Sequence, residues 1–178
     1  MYSKIIATSL CLLTSFSPAM AAGYGGSGRL KESTTSRLVR FLERGIELCQ
    51  SLDTVYRYDC YRQNYSSAAG KLAGKAAYAV PLAALLDVER ALNRIVALNT
   101  DPTASKVRKR GDTFRAITPA STAKAKETFR QALDEAATVL LRSDQGSGSH
   151  FAQIAQALDS NKILLRAWFM RVPSYMFG

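Results

Sequence analysis

The sequence predicts an all-α protein: a disulfide-stapled bundle of about five helices that follows a cleaved signal peptide. Three observations predict it. Apolar residues recur at helical three- and four-residue spacing through most of the chain, and no alternating, strand-like segment stands out. Two cysteines, Cys49 and Cys60, remain once the first 21 residues are set aside. Those first residues carry the three parts of an export leader.

The leader starts with the basic stretch Met1 to Lys4. An apolar run, Ile5 to Phe16, follows and ends at Ser17-Pro18. Ala19-Met20-Ala21 then supplies the small-x-small pattern of a cleavage site. The apolar run is short of the roughly 20 residues that span a bilayer. Cys11 lies inside the leader behind Leu10, where a lipoprotein site needs a small residue. The expected organisation is a signal peptide over 1–21, a flexible Gly/Ser lead-in over 22–33 and one helical-bundle domain over 34–178. No later apolar run approaches membrane-spanning length, so no transmembrane span is expected after cleavage. The expected location is periplasmic or secreted.

In an oxidising compartment an even pair of cysteines implies one disulfide. On one straight helix Cys49 and Cys60 would lie about 16 Å apart. A disulfide allows only about 4.4–6.8 Å between Cα atoms. The chain is therefore expected to turn between them.

The first helix is expected to begin among Ser33 to Ser36, with Leu38, Leu42, Gly45, Cys49 and Leu52 as its buried stripe. Asp53 and Asp59 are the candidate caps of the second helix, and Asp59 is favoured. That leaves Gln50 to Tyr58 as the turn and places Cys60 in the first helical turn. Tyr61, Tyr65, Ala68 and Leu72 share one side of it. Pro81 suits the first turn of a third helix, whose stripe is Leu85, Val88, Leu92 and Ile95. Asn99-Thr100-Asp101-Pro102 stops that helix. Residues 103–119 are the least regular part of the domain. The fourth helix follows Pro119, capped by Ser121 or Thr122, with Ala125, Phe129, Leu133, Ala136 and Leu140 inside. A Gly/Ser turn over 145–149 leads to a fifth helix from His150 to Arg171, with Asn161 in its apolar seam. A polar residue there is expected to set helix register.

The whole chain carries 24 Lys and Arg against 14 Asp and Glu, a net charge of +10; loss of Lys4 with the leader lowers it by one. Export makes nucleic acid an unexpected partner. The anions outside the cytoplasm are lipid head groups, cell-wall polymers and acidic proteins.

His150 is the only histidine. It is expected to be a solvent-exposed residue at a helix start, which removes most catalytic and metal schemes. No catalytic residue, metal ligand set or cofactor is expected. Asp134 and Glu135 are adjacent, so on a helix they point about 100° apart and cannot flank one bond. Asp87 and Glu89 are the other local carboxylates. Glu89 lies beside an apolar stripe and is expected to pair with Arg90, Arg94 or a cation of another helix.

Three features could carry binding. Lys106, Arg108, Lys109, Arg110 and Arg115 form a basic segment opposed by Asp112 and suited to an anionic surface. Tyr56, Arg57, Tyr58, Tyr61, Arg62 and Tyr65 combine tyrosine and arginine as a partner or ligand surface does. Trp168, Phe169, Tyr175 and Phe177 concentrate apolar area at the C-terminus. The expected function is therefore a non-catalytic exported helical protein that binds an anionic envelope surface or a protein partner. One alternative is an accessory subunit of an envelope secretion or conjugation assembly, docked by the C-terminal aromatics. The other is a carboxylate-dependent cell-wall glycan hydrolase acting through Glu89 or another carboxylate.

Overall fold

The three-and-four spacing of Leu38, Leu42 and Cys49 folds as helix α1, Glu32–Gln50, with all three side chains buried. This computed structural model describes residues 28–143 and 146–166, with side chains to residue 161. The expected leader and the C-terminal aromatics Trp168, Phe169, Tyr175 and Phe177 lie outside the described residues.

Helix α1 begins inside the segment expected to be a flexible lead-in. Leu30 packs on the core, and the Lys31 backbone both donates to and accepts from the Tyr78 hydroxyl at 2.9 and 2.8 Å. The end of the lead-in is therefore tied down from Leu30 onward.

Helix α2, Thr54–Gly70, starts earlier than expected. Asp53 stands at its N-cap, and the turn after α1 is only residues 51–53. Asp59 is not a cap. It lies mid-helix and is buried, because two arginines compensate its charge (below). Cys60 consequently falls in the second turn of α2. The Cys49–Cys60 disulfide is present, with 5.5 Å between Cα atoms. A turn does separate the two cysteines, though a shorter one than expected.

The disulfide sets the register of an antiparallel α1–α2 pair. One turn further on, Gly45 meets Asn64: a Cβ at Gly45 would lie 2.0 Å from Asn64 Oδ1. The helices approach there because α1 offers no side chain. Asn64 spends its amide on the Leu42 carbonyl at 3.4 Å. Further along, Leu38 and Leu72 line the same cleft. Replacing both cysteines by alanine is expected to lower the unfolding free energy by about 3 kcal/mol through the looser unfolded chain. Denaturant titration of the wild type and of Cys49→Ala/Cys60→Ala measures it. Equal stabilities would show that the short turn aligns the helices unaided.

Helix α3, Ala79–Asn99, has Pro81 in its first turn and buries Leu85, Val88, Leu92 and Ile95 as expected. Residues 103–119 are more regular than expected. They contain a β-hairpin, β1 Val107–Lys109 paired antiparallel with β2 Asp112–Phe114. Strands of three residues are too short to show alternation in the sequence. The hairpin loop is Arg110-Gly111, both at positive φ (52° and 95°), as a tight two-residue turn requires. The base of this excursion is closed by a Thr100–Ile117 bridge and by the Ile117 N–H bonding to the Val55 carbonyl. Helix α4, Thr122–Arg142, and helix α5, His150–Arg166, complete the bundle.

Each helix packs on its neighbour in sequence, and α1 closes the ring against α5. The aromatic centre joins α2 to α4. Tyr61 stacks on Phe129 with centroids 4.8 Å apart, and Tyr65 meets the same ring edge-on at 5.8 Å. Asn161 of α5 donates to the Tyr65 hydroxyl at 2.8 Å, so the polar residue in the α5 seam locks register against α2. No helix among the described residues is long and apolar enough to cross a membrane.

Candidate functional site

Antiparallel pairing of α1 and α2 brings together cations that are far apart in sequence. On α1, Arg37, Arg40 and Arg44 recur at helical spacing, one step round from the buried stripe. At the far end of α2 the chain supplies Lys71 and Lys75. These five, with Phe41 and Leu72, line an open cleft of about 570 Å³. Arg44 and Phe41 continue into a second cleft of about 280 Å³, bounded by Gln63, Arg110 and Asp112. Arg44 and Arg110 continue into a third of about 550 Å³, with Glu47, Ser51 and Lys109. Shared walls make these three clefts one groove. Seven cations line it against the carboxylates of Glu47 and Asp112.

None of the seven enters an ion pair among the described residues. Several are positioned by neutral groups instead. Lys109 Nζ donates to Ser51 Oγ at 2.7 Å and to the Ser51 carbonyl at 3.1 Å, so β1 is tied to the end of α1. Lys71 Nζ sits 4.3 Å from the centroid of the Phe41 ring. Arg110 occupies a left-handed turn position where Asn, Asp or Gly is the ordinary choice. A non-glycine residue held there costs about 1 kcal/mol, and in exchange a guanidinium stands at the groove mouth.

The basic segment read from the sequence is therefore divided. Lys109 and Arg110 line the groove. Lys106 and Arg108 are exposed and line none of the three clefts. Arg115 is committed elsewhere, because Asp59 takes its charge. The Arg115 N–H donates to Asp59 Oδ2 at 2.9 Å, and its guanidinium approaches the carboxylate at 3.4 Å. Arg62 Nε donates to the other oxygen at 2.8 Å. Burial works to raise the Asp59 pKa. The hydrogen bonds from Arg115 and Arg62 outweigh it, and the carboxyl ends below its usual range.

The tyrosine and arginine group does not form one surface: Tyr56, Arg57 and Arg62 stay half-buried while the other three face inward. Tyr58, Tyr61 and Tyr65 are buried, because α2 is enclosed between α1 and α3 and faces Phe129 of α4. Burial raises all three phenols, that of Tyr58 to about 12. The polar tips find partners inside the fold. Tyr58 donates to the Thr122 carbonyl, Tyr56 to that of Ser105 and Arg57 to that of Leu52. Arg62 also lies 3.8 Å from Glu89, so Glu89 pairs with a cation of another helix, one of the expected choices.

His150 is not the solvent-exposed residue expected. Its Nδ1 lies 2.9 Å from the hydroxyl of buried Thr35, and Thr35 lies 3.0 Å from the Tyr78 hydroxyl. This chain ties the start of α5 to α1 and to the approach to α3. The remaining local carboxylates are held along their own helices, Asp87 by Arg90 and Asp134 by Arg130, and neither lines the groove. Among the described residues, no group of three or more His, Cys, Asp or Glu side chains is placed to hold a metal ion.

No family model, curated protein or solved structure matches this chain. The groove must be judged on its own chemistry. Arg37, Arg40, Arg44, Lys71 and Lys75 did not stand out in the sequence. The spacing of the three arginines was legible there as one helix face. Their meeting with the two lysines was not, because only the α1–α2 register creates it.

Proposed function

We propose that this protein is a non-catalytic, exported binding module that holds an anionic component of the cell envelope in the groove between α1, α2 and the hairpin. The observation that supports it is the groove itself: seven unpaired cations facing two carboxylates. Elsewhere among the described residues Arg62, Arg90, Arg115 and Arg130 each have a carboxylate partner. Gathering unpaired like charges is unfavourable for the free protein, and an anion relieves it. The disulfide and the expected leader both fit an oxidising compartment outside the cytoplasm.

Two charge-reversal variants with equal net charge test the reading. Arg44→Glu/Lys109→Glu alters the groove, whereas Lys106→Glu/Arg108→Glu alters the hairpin outside it. On phosphocellulose, the groove variant is expected to bind at least about tenfold more weakly and to elute at clearly lower salt. The control is expected to elute near the wild type. Equal losses in both variants would show attraction by net charge alone and would remove the groove from the function.

A further inference from the structure

We propose that the groove takes a linear polyanion without stacking bases, laid along α1. The inference rests on the anion-binding reading above and specifies its ligand. Length is the first argument. Arg37 and Arg44 are seven residues apart, about 10 Å along the helix, and Ser51, which holds Lys109, is about 21 Å from Arg37. A lone phosphate meets one end of this row, whereas an extended polyanion meets each cation in turn.

Shape is the second argument. The cations stand on opposite walls of a cleft, arginines of α1 on one side and Lys71 and Lys75 on the other. A polymer strand enters such a cleft; the flat face of a bilayer reaches only its rims. The third argument is chemical. Single-stranded nucleic acids are gripped by aromatic rings on which bases stack. In this groove Lys71 already caps one face of Phe41, and Phe114 at the other end is 1% exposed. The groove offers charge along a strand without an open stacking platform.

The test titrates the full exported chain with three probes at fixed salt. They are inorganic polyphosphate fractions of increasing length, a single-stranded oligothymidylate of matched charge, and phosphatidylglycerol vesicles. Affinity is expected to rise with polyphosphate length and to level off once a chain spans the groove. The oligothymidylate and the vesicles are expected to bind more weakly than the spanning polyphosphate. Lys75→Ala and Arg110→Asn, at opposite ends, are each expected to weaken the spanning chain about fivefold. Arg110→Asn relieves the left-handed strain, so it is expected to melt no lower than the wild type while binding worse. Affinity independent of length, or tighter binding of vesicles or of oligothymidylate, would overturn the base-free linear polymer and leave the anion site standing. Failure of all three probes to bind would overturn the anion-binding reading itself.

Discussion

Phe129→Ala is expected to cost about 4 kcal/mol of folding free energy, the largest single loss foreseen in this bundle. Phe129 is fully buried, and its ring carries both aromatic contacts that join α2 to α4. The size of the effect depends on whether the neighbours can collapse into the space. Tyr65 is restrained, because Asn161 of α5 holds its hydroxyl at 2.8 Å. Tyr61 packs edge-on against Tyr58, whose hydroxyl is bound to the Thr122 carbonyl. The cavity therefore persists, and the cavity cost adds to the lost transfer energy. Denaturant unfolding measures it, with Phe129→Leu as a milder comparison. A loss below about 2 kcal/mol would show that the aromatic centre repacks and that its hydroxyl anchors do not hold it open.

Asp59→Ala is expected to cost about 3 kcal/mol and to loosen the hairpin. The buried carboxylate is a charged link between α2 and the start of the α4 approach at Arg115, and it fixes the Arg115 backbone as well as the guanidinium. Its loss strands Arg115 and leaves Arg62 with only Glu89, 3.8 Å away. Both are partly exposed, at 37% and 20%, so water softens the penalty and the lower end of the range for broken buried pairs applies. The same group sets an acid limit. The folded-state pKa of Asp59 lies below its ordinary value, which is about 3.9 in the unfolded chain. Its contribution is therefore complete above about pH 4 and is lost as pH falls through the folded value. Stability of the wild type should fall in that window, and the corresponding loss should be smaller in Asp59→Ala. Identical acid profiles would show that Asp59 is not the group responsible. Because β1 carries Lys109 and its turn carries Arg110, the variant should also bind phosphocellulose more weakly at neutral pH.

The stripes of α1, α3 and α4 were legible in the sequence because each is a helix with one buried face and one wet face, and the 3.6-residue period records that contrast. The start of α2 was not legible for the opposite reason. Buried on several sides and rich in tyrosine, it has almost no apolar–polar contrast round its axis, so a mid-helix aspartate passed for a cap. The same cause turned Tyr58, Tyr61 and Tyr65 into an apparent surface. Aromatic rings with hydroxyl tips look alike in sequence whether the tip meets water or a buried carbonyl. The hairpin was missed because three-residue strands leave no period to detect.

What the chain determines by itself is local: which segments are helices, which faces are apolar, where an export leader is expected, and that two cysteines must meet across a turn. Each follows from backbone preferences and near-neighbour spacing. What only the tertiary structure decided is which charges are spent and which remain available. Arg115 was neutralised by an aspartate 56 residues away, whereas Arg37, Arg40 and Arg44 stayed unpaired and met two lysines across the helix pair. Coulomb interaction depends on distance through space and on burial, and neither is encoded by position along the chain until the helices dock. The groove exists only if α1 and α2 run antiparallel in the register set by Cys49–Cys60.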